Sequence, residues 1–244
     1  MEGTHSKSAN CAASKFSVTA GRLAIAASAA ALALLLSLHV LSPDYSPAWR
    51  MISEYADGQF GWVLSLMFIA YGASLLALAF ALKSQVSTRR GQTGVALLTL
   101  AGIGAASAAQ FDLNQAALHD LAGVFGVVCL PVAAMLISPA LIARPVWRSA
   151  RTSILLAANL TWLAVVLFIA SFVLMIATFM QVVGNLPSTP PAELPGGVIA
   201  VVGWTNRLVV LSAWTWVSVV AWHGIKASSP QHTSAHLAHE AVGP

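Results

Sequence analysis

Residues 154–183 read ILLAANLTWLAVVLFIASFVLMIATFMQVV, and this stretch decides the fold. It carries no charged side chain, and it lacks the alternation of apolar and polar residues that membrane β-strands show. A helix rises about 1.5 Å per residue, so about 20 apolar residues cross the hydrocarbon core of a bilayer. The stretch therefore predicts a spanning helix that is too long for the bilayer and must tilt or project beyond it.

The composition of the whole chain agrees with a lipid environment. Of the 244 residues, 58% are hydrophobic and 8% are charged, and the mean hydropathy is +0.78. Soluble domains carry about 25% charged residues, so a soluble globular fold is excluded. Cys11 lies in a polar tail and Cys129 in an apolar run, which gives no sign of a disulfide framework.

Apolar stretches long enough to span recur along the chain and predict an all-α polytopic transmembrane bundle of six helices over residues 22–226. The predicted spans are 23–41, 60–82, 92–111, 121–142, 154–183 and 200–222. The first is too long for a signal-peptide core and has no small-x-small cleavage site after it, so we expect a retained signal anchor. The polar segments 1–21 and 227–244 are predicted to be disordered cytoplasmic tails.

The basic residues predict the orientation of the bundle. Ten of the twelve Lys and Arg residues flank the spans on one side, and only Arg50 and Arg207 fall on the other. Because basic loops stay in the cytoplasm, both termini are predicted to be cytoplasmic. That pattern also argues against a nucleic-acid-binding face. The acids in the loops show the opposite distribution, and topology does not explain them.

Most residues capable of chemistry are predicted at the extracytoplasmic end. We take Glu54, Asp112, His119, Asp120 and Arg207 as candidate ligand-binding residues. The apolar run after Arg207 is only about 15 residues, so its helix must begin earlier and Arg207 must lie below the surface. An Arg within the membrane needs a partner, and Glu54, Asp112 and Asp120 are the candidates. Both a structural role, locking the last helix, and a ligand-binding role are open, and the structural one is favoured.

Three kinds of chemistry are considered for this constellation. His39, Asp112, His119 and Asp120 could converge on a metal, but no metal-binding motif is present and we expect none. Ser53 beside Glu54 lacks a nucleophile motif and is predicted to cap a short helix. No pair of His residues on facing spans suggests haem, so no cofactor is predicted.

Three short motifs carry a resemblance to a known family. They are the segment from Tyr45-Ser46 to Ile52-Ser53-Glu54, the pair Asp112 and His119, and Gly203-Trp-Thr-Asn-Arg207-Leu208 followed by Trp214. In this order the chain resembles the bacterial family named domain of unknown function 998, small six-helix integral membrane proteins. The resemblance covers about residues 22–226 and implies a fold and a location in the membrane, not an activity.

The sequence therefore predicts a multi-pass protein of the bacterial cytoplasmic membrane that is not an enzyme. Its extracytoplasmic polar cluster is predicted to bind a lipid headgroup or small polar solute. The alternatives are a membrane-embedded lipid hydrolase, with or without a metal, and a small-solute transporter, which would need acids deeper in the spans. Membrane lipids are the expected partners. The small residues of the third span, such as Gly94 and Gly102, permit a homo- or hetero-oligomer.

Overall fold

The structure is a computed structural model. It describes residues 16–110, 116–185, 191 and 193–228, without the side chains of 116–120 and 122. Within that part of the chain the secondary structure is helical and no strand occurs, which confirms the all-α prediction.

The described residues form six α-helices and two short 3₁₀ helices. The α-helices are α1 (Val18–Leu41), α2 (Gly61–Leu82), α3 (Arg89–Ser107), α4 (Ala116–Ile142), α5 (Arg151–Val183) and α6 (Val202–Ala227). The 3₁₀ helices are Ile52–Asp57, between α1 and α2, and Pro145–Ala150, between α4 and α5. Helix α1 begins five residues before the predicted span because the Ser17 hydroxyl accepts a hydrogen bond from the backbone N–H of Ala20.

Five of the α-helices have a described stretch long and apolar enough to cross a membrane. Helix α3 is the exception, although the sequence predicts a span there. It has 19 residues, begins with Arg89 and Arg90, and contains several glycines and polar residues that lower its hydropathy. Length and composition therefore support several apolar spans, and the sixth span stays a prediction.

Each α-helix packs against its neighbours in the chain, and α6 closes the arrangement by packing against α1. Helix α3 packs against both α2 and α4. A Cβ added to Gly94 would lie 2.8 Å from Ile137 of α4, and one added to Gly102 would lie 2.9 Å from Leu76 of α2. The small residues of α3 thus pack inside the chain, and an oligomer built on them stays a prediction.

Helices α5 and α6 run side by side in a register set by two pairs of side chains. The Ser171 and Thr205 hydroxyls lie 2.6 Å apart, and the Ser153 hydroxyl lies 3.0 Å from Nε2 of His223. Ser153 and Ser171 are as far apart along α5 as Thr205 and His223 are along α6. Thr205 is three residues after the start of α6, so the residue level with that start is 174, three residues after Ser171. Residues 175–183 extend beyond that level by about 13 Å at the helical rise per residue. The predicted excess length of the fifth span is therefore a projecting end relative to α6.

The two ends of the bundle differ in charge. We call residues 42–60, which connect α1 to α2, the cap, and the end at which they lie the cap end. Of the acids whose side chains are described, Asp44, Glu54 and Asp57 belong to the cap, and Glu193 lies in the connection between α5 and α6. The opposite end, which we call the basic end, carries Arg22, Lys83, Arg89, Arg90, Arg144, Arg148, Arg151 and Lys226. The predicted segregation of charge along the bundle is therefore visible in the described part of the chain.

Candidate functional site

The cap folds down onto the first turn of α6. The backbone N–H of Gly203 donates to the carbonyl of Ala48 at 3.0 Å, and the N–H of Ile52 donates to Oδ1 of Asn206 at 2.9 Å. A Cβ on Gly203 would collide with the carbonyl of Pro47 and lie 2.7 Å from that of Arg50. Glycine is required here because two backbone segments approach each other closely.

Arg207 lies beneath the cap and is 3% exposed. Its Nε donates to Nε2 of His39 at 2.8 Å, and its Nη2 donates to the Tyr55 hydroxyl at 3.1 Å. Its Nη1 donates to the carbonyls of Arg50, at 2.8 Å, and Gly203, at 3.0 Å. Four of the five N–H donors of a guanidinium are thus used within the chain. They connect α1, the cap and α6, which is the structural role that the sequence analysis favours.

Glu54 is one of the three candidate partners of Arg207 in the sequence analysis, but its carboxylate binds other groups. Its Oε2 lies 2.6 Å from Nη1 of Arg50, and its Oε1 accepts from the backbone N–H of Met51 at 2.8 Å. Glu54 stands four residues after Arg50 and at the third position of the 3₁₀ helix, so both partners are local. Among the described residues, Arg207 has hydrogen bonds to neutral groups and no ion pair.

Arg50 serves only to predict topology in the sequence analysis, yet it is the basic group of the cap and lies near its surface. Its guanidinium carbon lies 4.3 Å from the centre of the Trp49 ring and 5.7 Å from that of Tyr45. Its Nη2 donates to the carbonyl of Pro191 at 3.0 Å, while its Nε has no partner in the described part of the chain. The side chain keeps 16% exposure. The spacing of Arg50 and Glu54 and the flanking aromatic residues could have revealed this group.

The aromatic side chains of the cap pack around these charges. The rings of Tyr45 and Tyr55 lie 5.2 Å apart, and the Tyr55 ring lies 6.0 Å from that of His39. Burial raises the pKa of Tyr45, and the nearby charge of Asp57 raises it further. The Tyr45 hydroxyl therefore stays protonated at neutral pH.

Two further residues at the cap end, Ser53 and His39, have roles that differ from those considered in the sequence analysis. Ser53 does not cap the 3₁₀ helix, because that helix begins at Ile52 and Met51 occupies the cap position. His39, which the sequence analysis considers as a metal ligand, is instead the hydrogen-bond acceptor for Arg207.

The remaining candidates belong to the connection between α3 and α4. The hydroxyl of Ser65, near the start of α2, donates to the carbonyl of Ala109, which places the end of α3 at the cap end. Asp112, and the side chains of His119 and Asp120, lie outside the described residues. The part of the chain that is described contains no cluster of three metal-binding side chains, which leaves the metal hypothesis for the α3–α4 connection untested.

Comparison with known proteins gives one match. The family model described as "Protein of unknown function (DUF998)" matches residues 25–223. This confirms the resemblance drawn from the three motifs. No significant match was found among curated proteins or among solved structures.

Proposed function

The chain belongs to the DUF998 family of proteins of unknown function, and from its cap we propose that it binds a lipid headgroup or small polar solute. The observation that carries the proposal is the placement of Arg50. The Arg50 side chain is 16% exposed, with a carboxylate beside it and two aromatic rings against it, and its buried Nε–H has no partner among the described residues. Arg207 lies below it with four of its five N–H donors engaged, and acts as a positioning residue.

The chemistry of this group suits a ligand that carries an anionic oxygen. A guanidinium donates several parallel hydrogen bonds and recognises phosphate or carboxylate groups. Glu54 and the carbonyl of Pro191 hold the guanidinium of Arg50 in place. Glu54 adds a negative charge for a cationic part of the ligand, such as an ammonium group. Asp112, His119 and Asp120 remain proposed contributors from the α3–α4 connection.

The location of the site follows from a proposed topology. We place six spans in the bacterial cytoplasmic membrane, with both termini in the cytoplasm and the cap on the extracytoplasmic side. The concentration of Lys and Arg at the basic end supports this orientation. The cap would then lie at the level of the outer headgroups, within reach of lipid and of solutes outside the cell.

Binding of defined probes to purified protein in detergent tests the proposal. The probes are a short-chain phosphatidylethanolamine and free phosphoethanolamine, which share a phosphate and an ammonium group but differ in the acyl chains. We expect Arg50→Gln to weaken binding about tenfold, as the loss of one charge-assisted hydrogen bond implies. Arg148→Gln, which removes an exposed charge from the basic end, serves as the matched control and leaves binding unchanged.

The two probes distinguish the two ligand classes. A lipid site binds the short-chain lipid and not the free headgroup, whereas a solute site binds both. Equal binding by the native protein and a folded Arg50→Gln variant overturns the assignment of Arg50. Failure of the native protein to bind either probe overturns this choice of ligand chemistry.

A further inference from the structure

The hydrogen bond between His39 and Arg207 determines where the imidazole carries its proton. The nitrogens of a guanidinium only donate, so Nε2 of His39, 2.8 Å from Nε of Arg207, must accept. The ring proton then lies on Nδ1, which donates to the carbonyl of Leu35 at 2.7 Å. His39 can therefore hold Arg207 only as the neutral imidazole.

A second proton on His39 has no acceptor in this arrangement. It would enter on Nε2 and face the N–H of Arg207, so that two donors and two positive charges stood opposite each other. Arg207 is too deeply buried for water to screen that repulsion well. Either the imidazole or the guanidinium has to move when His39 becomes charged.

The charged and titratable groups facing His39 come from α6 and the cap. Helix α6 presents Arg207, and the cap presents Tyr55, whose ring is 6.0 Å from the imidazole. Behind Tyr55 lies the ion pair of Arg50 and Glu54. The first turns of α2 contain no titratable group, and the described residues of α1 carry no other near its cap end. No described carboxylate contacts His39 and could stabilise an imidazolium.

We propose that His39 is a pH-dependent latch. In the neutral form it ties α1 to Arg207, and through Arg207 it ties α1 to the cap. In the charged form it releases Arg207, so that acidification loosens the cap from α6. The latch is a property of the fold and stands whether or not the cap binds a ligand.

Cysteine accessibility in lipid nanodiscs measures the latch directly. In a background with Cys11→Ser and Cys129→Ser, Ile52→Cys introduces a thiol at a buried cap position and Gln59→Cys at an exposed one. The ratio of their maleimide labelling rates cancels the effect of pH on thiol reactivity. We expect this ratio to rise as the pH falls from about 7.5 to 5.5, by no more than about tenfold per pH unit, because one proton is taken up.

The His39→Gln variant is the control, since its amide oxygen can accept from Arg207 and does not titrate. In that variant the ratio should stay constant with pH. In a Glu54→Gln background with His39 intact, the rise should persist, which excludes protonation of Glu54 as its cause. A ratio that stays flat in the protein with His39, or that rises equally in the His39→Gln variant, overturns the proposal.

A spectroscopic measurement covers the case in which the His39→Gln variant does not fold. The ¹⁵N shifts of labelled histidine, in protein whose six other histidines are replaced by Gln, report the protonation of each ring nitrogen of His39. We expect a proton on Nδ1 and none on Nε2 of His39 near neutral pH. The opposite tautomer, or an imidazolium in protein whose Ile52→Cys thiol remains protected, would overturn the latch.

Discussion

Replacing Arg207 with Met tests whether its hydrogen bonds stabilise the fold. Met removes the guanidinium and keeps an apolar side chain of comparable length. The carbonyl of Arg50 and Nε2 of His39 then lose the partners that the structure gives them. The carbonyl of Gly203 stands four residues before Arg207 in α6 and keeps its helical hydrogen bond, and the Tyr55 hydroxyl can rotate. Two stranded acceptors cost about 1–3 kcal/mol each, and part of this is offset because a buried charge is removed.

We therefore expect Arg207→Met to lower the free energy of unfolding by about 2–4 kcal/mol. The measurement is reversible unfolding in mixed detergent micelles, followed by circular dichroism. Arg90→Met is the matched control, because Arg90 is exposed at the start of α3, and its effect should stay within about 0.5 kcal/mol. If Arg207→Met is as stable as this control, the four hydrogen bonds do not stabilise the cap and the structural role of Arg207 is refuted.

Three other substitutions test the contacts around the cap and at the basic end. Gly203→Ala would force the cap away from α6 and should cost about 1–3 kcal/mol of unfolding free energy, whereas Gly123→Ala, whose Cβ meets nothing within 4 Å, should not destabilise. The pKa of Tyr45 is raised in the folded state, so the Tyr45 hydroxyl contributes its full stabilisation below about pH 10 and loses it as the pH rises through the folded pKa. Tyr45→Phe should abolish this loss of stability, as measured by unfolding curves at alkaline pH. A Cβ on Gly224 would lie 2.5 Å from the ring of Phe16, so Gly224→Ala should destabilise the protein in thermal unfolding. In the double variant, Phe16→Ala should suppress most of the effect of Gly224→Ala.

The helices were predictable because hydropathy and length determine them over long stretches. The fifth span is an example: its excess over about 20 residues predicts a tilted or projecting helix, and the register of α5 with α6 shows residues 175–183 extending past α6. Helix α3 is predicted as a span from a window that begins after Arg89 and Arg90. The helix itself includes both, since the hydroxyl of Thr88 accepts from the N–H of Gly91 and starts the helix earlier.

The site was only partly predictable, because the residues that contact each other in it are far apart along the chain. The depth of Arg207 followed from the short apolar run after it, and its burial agrees with that argument. Its partners did not follow, because His39 and Tyr55 are 168 and 152 residues away and come together only where α6 packs against α1 and the cap. Charge alone made Glu54 one of three candidate partners, whereas in the local geometry of the 3₁₀ helix its carboxylate binds Arg50 and Met51.

Two of the motifs that carry the family resemblance lie in contact, where the cap packs on the first turns of α6. The motif from Tyr45 to Glu54 forms the cap, and the motif around Arg207 forms the first turns of α6. Each residue of the second motif that contacts the cap has a separate task there. Gly203 allows close approach, Asn206 accepts from the backbone of the 3₁₀ helix, and Arg207 donates to the cap from below. A pattern of this kind specifies how a surface segment is held and does not by itself specify a reaction. The function is therefore to be sought in the groups that this contact leaves near the surface of the cap, above all Arg50.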